Sequence, residues 1–209
     1  SGSEKPGKQL SYVRFLFIAM HRRLFRDRVL AELMPPLLKD GRSLLWESIG
    51  KKFTGLDYRE ADQLSRRNKE FIKELFPSSD LYASLFPERA QKLIGEVGED
   101  TRGVQRMLER IGFEYVNHID PFDGGPHYEA DVKDISLVRK FRTVKLSGED
   151  FEDEGEDVLV GREKGSGKNR FSAVRCTVRF DDQVVHVPAR AKELLEAKAG
   201  DKVGLIPFE

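Results

Sequence analysis

The 209-residue sequence has a single cysteine, Cys176. One thiol excludes an internal disulfide framework and a multi-cysteine zinc site, and it fits a reducing, cytoplasmic setting. Charge of one sign is lacking too: 36 Lys and Arg balance 36 Asp and Glu, for a net charge of zero. Without a net positive field the chain lacks the long-range pull on phosphate backbones that nucleic-acid binders use, so no nucleic-acid partner is expected. Long apolar runs are also missing. The longest, Phe15 to Met20, covers six residues, against about 20 for a membrane helix. Ser1 to Lys8 is polar, without the apolar stretch of a secretory signal. Neither a membrane partner nor export is therefore expected. What is present is enough for a core: 39% apolar residues and 14 Phe, despite 34% charged residues. The chain begins at Ser1 and not at Met, which reads as a piece of something longer.

Hydrophobic spacing organises most of the chain into helices and strands. Gln9 to Phe25 reads as a helix apolar on most faces, hence a buried one. Arg28 to Leu33 reads as a strand stopped by Pro35-Pro36. Ser43 is placed to cap a short helix from Leu44 that ends near Gly50, and Phe53 to Tyr58 reads as extended. Arg59 to Leu75 and Pro87 to Val97 have helical spacing. Thr101 is expected to cap a helix with Val104, Met107, Leu108 and Ile111 on one face, ending at Gly112. Strands at Phe113 to Ile119 and His127 to Val132 flank a Pro-Phe-Asp-Gly-Gly-Pro turn. Seven of the nine residues from Glu149 to Asp157 are acidic, which reads as a solvated linker. Beyond it come β-like stretches at 157–160, 170–180 and 183–187, a helix at 189–197 and a last strand at 202–207. The expected organisation is an α/β region over 1–146, an acidic linker over 147–157 and a small β-rich subdomain over 158–209.

Few residues carry the marks of chemistry. The four histidines are scattered, with no pair four apart on a helix and no cysteine partner, so no metal site is expected. Cys176 lies in a β-like run with no histidine nearby, which leaves a nucleophilic triad without support. Arg162 to Asn169 superficially resembles a phosphate loop, but its glycine spacing is wrong and Asn169 replaces the Ser or Thr that would meet magnesium. It reads as a hairpin loop. His118 and His127 flank the turn that carries Asp120 and Asp123, and such a group can supply acids and bases. Asp and Gly also favour turns for conformational reasons alone. At the other end, Pro6-Gly7 opens a long helix whose free N–H groups, with Lys5 and Lys8, favour an anionic phosphate.

Glu32, Leu45-Trp-Glu-Ser-Ile-Gly-Lys-Lys-Phe53, Leu56-Asp-Tyr58, Ala61-Asp62, Phe71-Ile-Lys-Glu-Leu75, Leu81-Tyr82, Gly112-Phe-Glu-Tyr115 and Ile119-Asp-Pro-Phe-Asp-Gly-Gly-Pro126 follow one another in an order that resembles the arginine N-succinyltransferase family. Arg139-Lys140, Arg142 and Gly200-Asp-Lys-Val203 extend the likeness. The resemblance implies an acyltransferase of the GNAT type, with this chain as the C-terminal part of its mixed sheet and flanking helices. It implies succinyl transfer from succinyl-CoA to the α-amino group of L-arginine, with succinyl-CoA as cosubstrate and no other cofactor. Gly7 and Lys8 would face the CoA pyrophosphate, and Glu32, Asp120 and Asp123 are the carboxylates that can meet the arginine guanidinium. The family carries a proton-donating histidine after an Ile-Gly-x-Val, whereas here Ile94-Gly-Glu-Val97 runs into Gly98. His127 is the substitute within reach. The phosphate loop keeps only its last glycine, with Gly2, Lys5 and Gly7 at its positions. Three readings follow: a fragment or subunit of a working enzyme, a non-catalytic binding or regulatory subunit, and a GNAT enzyme for another amine. A second polypeptide or a homo-oligomer is expected to complete an incomplete sheet.

Overall fold

The computed structural model describes residues 6–68, 70–151, 155–165, 170–182 and 184–209. The chain runs α1 (Pro6–Met20), β1 (Arg28–Glu32), α2 (Leu44–Ser48), α3 (Gly50–Thr54), α4 (Tyr58–Ser65), α5 (Glu70–Leu75), α6 (Glu88–Gln91), α7 (Arg102–Arg110), β2 (Glu114–Ile119), β3 (Pro126–Asp131), α8 (Ser136–Arg139), β4 (Arg142–Asp150), β5 (Glu156–Glu163), β6 (Phe171–Asp181), β7 (Val184–Val187), α9 (Ala189–Leu195) and β8 (Lys202–Pro207). The fold is mixed α/β, as the sequence suggested. It divides into two compact units, one made of the residues up to Asp27 together with Asp131–Glu209, the other of Arg28–Ala130. This division differs from boundaries drawn at 146 and 158, because the N-terminal helix packs with C-terminal strands far away in sequence.

The first unit is a closed barrel in the order β4-β7-β6-β5-β8. β5 and β6 pair antiparallel from Glu156 opposite Val178 to Glu163 opposite Phe171, while β4 and β7 run parallel. Val158, Val160, Val178, Val185, Val187, Val203 and Leu205 fill the interior, joined by Ala191 and Leu195 of α9. α1 lies on the outside. Gly161 and Gly204 stand opposite each other where β5 meets β8. A Cβ on Gly161 would come 2.8 Å from Leu16, and one on Gly204 would come 2.9 Å from Met20, so the helix seats where two side chains are missing. α1 buries Tyr12, Phe15, Leu16 and Ile18, yet Leu10 is 65% exposed, so the helix is one-sided and not apolar all round.

The expected acidic linker is placed in pieces. Ser147 to Asp150 continue β4, Glu156 and Asp157 open β5, and residues 152–154 lie outside the described residues. The acids Glu149, Asp150 and Glu156 are exposed while the backbone pairs, with Asp150 opposite Val187 and Glu156 opposite Val178. Lys192 answers the charge run by donating to the Gly148 and Glu149 carbonyls and to Asp150 Oδ1, at 3.3, 2.7 and 2.9 Å.

In the second unit a three-stranded sheet, ordered β1-β3-β2, is accompanied by α2 to α7. β2 and β3 pair antiparallel, Tyr115 opposite Tyr128 and Ile119 opposite Pro126, with a bulge between them. Ser43 caps α2 as expected, its Oγ accepting from the Trp46 amide at 3.2 Å. Other local expectations are corrected. Residues 53–58 are not extended, since Phe53 and Thr54 finish α3 and Tyr58 starts α4. The helix drawn over 59–75 is interrupted between α4 and α5, and 87–97 keeps one α-helical turn, α6. Thr101 does not cap α7 through its side chain; its Oγ1 donates to the Met34 and Gly98 carbonyls at 3.0 and 3.2 Å.

Candidate functional site

The turn from Asp120 to Pro126 is held by its own backbone and side-chain hydrogen bonds. Asp120 closes it by backbone bonds to Gly124 and Gly125, both 2.8 Å, and its Oδ1 accepts from the Phe122 amide at 2.8 Å. Phe122 turns its ring into an aromatic cluster, 4.4 Å from Trp46 and 5.5 Å from Tyr58 between centroids. Asp123 Oδ1 accepts from the Gly125 amide at 2.9 Å and Oδ2 from the Tyr58 hydroxyl at 3.1 Å. Gly125 itself presses on the chain after β1: a Cβ there would lie 2.2 Å from the Leu33 carbonyl oxygen. Only a residue without a side chain fits, and the Leu33 amide then donates to the Pro126 carbonyl at 3.1 Å.

That apposition sets His127, at the start of β3, beside Glu32, at the end of β1. His127 Nε2 lies 3.9 Å from Glu32 Oε1. The imidazole is largely buried and its Nε2 has no hydrogen-bond partner, whereas the Glu32 side chain is 57% exposed. Buried ring nitrogens are normally satisfied. The Nε2 of His127 is thus left open beside the Glu32 carboxylate at 3.9 Å.

Burial, aided by the charge of Asp120, raises the Asp123 carboxyl above the ordinary carboxylate range although the Gly125 amide pulls the other way. Burial and the Asp123 charge likewise raise the Tyr58 phenol. A carboxyl raised on folding favours the folded state below its unfolded pKa of about 3.9 and loses that contribution as pH climbs through the folded value. Asp123→Asn should therefore gain on the parent chain in urea-melt stability as the pH rises above about 4. Asp123→Ala strands the Gly125 amide and the Tyr58 hydroxyl and should cost about 1–3 kcal/mol in the same measurement.

Gly98 has no side chain and little room for one. Its amide donates to the Met34 carbonyl at 2.8 Å, and a Cβ would meet the Pro35 oxygen at 2.6 Å. A cleft of about 590 Å³ lined by Met34 to Lys39, Gly41 and Val97 to Arg102 opens beside it.

Among the sequence-derived residues, Glu32, Asp120, Asp123 and His127 thus fall together in the second unit. Gly7 and Lys8 belong to the first, in the opening turn of α1. Lys8 Nζ stands 5.1 Å from the Tyr12 ring and 4.8 Å from the Phe208 ring. Gly2, Lys5 and residues 166–169 of the supposed phosphate loop lie outside the described residues. His118 is exposed. Burial, with the Asp157 charge, pushes the Cys176 thiol up to about 11, so it stays protonated at neutral pH. Tyr58 and the Leu33 backbone were not anticipated as parts of the turn; Leu56-Asp-Tyr58 was a visible block, but nothing in its spacing points to residue 123.

The family model of the arginine N-succinyltransferase beta subunit matches residues 2–137. The arginine N-succinyltransferase of Yersinia pestis (strain Pestoides F) is 36% identical over 97% of this chain and 59% of its own length. That of Escherichia fergusonii is also 36% identical, with the same coverage of both chains. A solved structure, the arginine/ornithine succinyltransferase subunit AI from Pseudomonas aeruginosa, superposes with a TM-score of 0.78 at 30% identity, over 94% of this chain and 56% of that one. The chain spans 59% of the curated relatives it matches. Sequence and fold agree across nearly all of these 209 residues, and the chain belongs to the arginine N-succinyltransferase family.

Proposed function

We propose that this chain serves, as a part or subunit, in the transfer of succinyl from succinyl-CoA to the α-amino group of L-arginine. The observation that supports it is the open Nε2 of His127 facing Glu32 at 3.9 Å. In the proposed reaction the amine attacks the thioester carbonyl, an amide bond forms, the C–S bond breaks and CoA leaves as the thiol. His127 accepts the proton that the amine must lose and returns it to the departing thiolate, so that one imidazole serves as base and then as proton donor. Glu32, exposed and without an internal donor of its own within 3.5 Å among the described residues, is the carboxylate for the guanidinium fork. Asp123 is committed to Gly125 and Tyr58, and one oxygen of Asp120 to Phe122, so these two act by holding the turn. Gly7 and Lys8, at the N-terminus of a 15-residue helix, are assigned to the CoA pyrophosphate. Succinyl-CoA is the cosubstrate, no further cofactor is assigned, and the setting is the cytoplasm. The GNAT-type sheet is read as incomplete: β1 and β2 are the outer strands of the three-stranded sheet, and such edges accept strands from a second polypeptide or a second copy.

A second reading, a binding subunit without catalysis, is favoured by Gly98 and the carbonyls packed against it. One experiment separates the two. Purified chain is incubated with succinyl-CoA and L-arginine, thiol release is followed by a chromogenic disulfide, and the product is identified by mass spectrometry. Arginine-dependent thiol with N-succinylarginine is the expected result. Arginine binding by calorimetry without thiol release selects the binding subunit. Absence of both sinks the family-based reading of activity.

A further inference from the structure

β4 begins at Arg142, opposite Leu205 of β8, and two residues later Val144 stands opposite Val203. Leu205 and Val203 belong to the barrel core, and Val144 packs against it. Successive side chains of a strand point to opposite faces, so Arg142 shares the inner face with Val144. Its guanidinium lies over the Phe180 ring, 5.0 Å from the centroid, and Phe180 packs against the same core. β5 opens in the same way, with Glu156 two residues before the core residue Val158 and on its face of the strand. One cation and one anion thus stand on the inner face at one end of the barrel, and both are exposed there.

That end is hollow. Arg142, Glu156, Phe180 and Pro207 line a pocket of about 540 Å³ that reaches Val158 and Leu205, each only 2% exposed. A recess with an apolar base and a few polar groups is the usual form of a small-molecule site. Among the described residues the side chains of Arg142 and Glu156 make no ion pair and no hydrogen bond, although they are opposite in sign and line one cavity. At the rim Lys140 pairs with Glu209, while Arg139 is exposed and adds a positive charge. A simple carboxylate would bring a second negative charge toward Glu156, and a simple amine a further positive charge toward Arg142 and Arg139. A zwitterion meets both sides. The guanidinium steadied on Phe180 presents a fork for a carboxylate, Glu156 accepts from an ammonium, and the apolar base takes a hydrocarbon side chain.

We propose that this end of the barrel binds a free α-amino acid with an aliphatic side chain, its carboxylate on Arg142, its ammonium on Glu156 and its side chain against Val158 and Leu205. The site lies in the first unit, whereas Glu32 and His127 lie in the second, and it does not depend on the reaction proposed for them.

The test is calorimetric titration of the full chain with L-leucine, a probe without the guanidinium assigned to Glu32, and with glycine, N-acetyl-L-leucine and L-leucinamide. L-Leucine should bind. Each of the other three should bind about tenfold or more weakly, for want of the side chain, the ammonium and the carboxylate in turn. Arg142→Gln and Glu156→Gln should each weaken leucine binding about tenfold or more, with melting temperatures little changed because both side chains are exposed. Should either variant melt much lower, the three analogues decide the matter on the parent chain, with no substitution. No binding of leucine by the parent overturns the proposal, and so does a well-folded variant that binds leucine as the parent does. Equal binding of leucine and N-acetyl-L-leucine overturns it too, since the pocket would then read a carboxylate alone.

Discussion

If His127 is the proposed base, His127→Ala should turn over arginine about 10²- to 10⁴-fold more slowly than the parent chain, with its melting temperature lowered only by the loss of ring packing. The expectation rests on what the imidazole does not do for the fold. Its Nε2 makes no hydrogen bond, and its near neighbour, Glu32 Oε1, is 3.9 Å away on a side chain that is itself 57% exposed. Removing the ring breaks no bond made by that nitrogen, while the backbone of β3 stays paired with β2. On the proposed mechanism the quantity lost is a proton acceptor beside a carboxylate. Thiol-release kinetics and calorimetric melting, run on the same preparation, separate the roles. A variant that keeps its kcat and melts lower would show His127 to be packing only.

Trp46→Ala carries the largest expected loss of stability, about 3–5 kcal/mol. The indole is fully buried, with Phe122, Phe76 and Tyr58 around it at 4.4, 5.7 and 6.4 Å. Its Nε1 donates to the Leu56 carbonyl at 2.9 Å. α3 closes over the ring so tightly that a Cβ on Gly50 would lie 2.2 Å from it, so the walls have little freedom to collapse into the space left. Trp46→Phe should cost markedly less, since most of the ring contacts survive and only the Nε1 bond is lost. Urea denaturation followed by circular dichroism measures both, because the variants lose the chain's one tryptophan and its fluorescence. The effect should extend to the site. Phe122, with the Tyr58 hydroxyl on Asp123, ties the cluster to the Asp120–Pro126 turn, and β3 with His127 begins where that turn ends.

Where sequence reading succeeded, the local pattern and the tertiary structure asked for the same thing. β8 was bounded at Lys202 and Pro207, and both strands around the Asp-Gly-Gly-Pro turn were found, because alternation and turn chemistry agree there. The missed break between α3 and α4 had its signals in plain view. Gly55 adopts φ 71°, a left-handed conformation suited to ending a helix, and Asp57 with Glu60 forms a capping box. The aromatic and β-branched residues of 53–58 argued for a strand more loudly than those two caps argued for helices. The acidic run misled for a different reason, since charge describes where side chains point and says nothing of whether the backbone is paired. The pairing of Gly161 with Gly204 under α1 was not legible at all, being a contact between a helix and strands more than a hundred residues later. Within the candidate site, the grouping of Asp120, Asp123 and His127 around one turn could be read from their sequence positions. Tyr58 was not, because its bond to Asp123 joins residues 65 apart.

The first unit is assembled from both ends of the chain, with Arg28–Ala130 interposed. During synthesis the apolar face of α1 must therefore wait for strands that do not yet exist. At ordinary translation speeds the roughly one hundred intervening residues take on the order of ten seconds to appear. Through that interval Tyr12, Phe15, Leu16 and Ile18 have no barrel to cover them. The interposed segment, contiguous in sequence, can condense first. The amide of Val132 finally bonds the carbonyl of Asp27 at 2.7 Å, a clasp at the point where the chain leaves the first unit and returns to it.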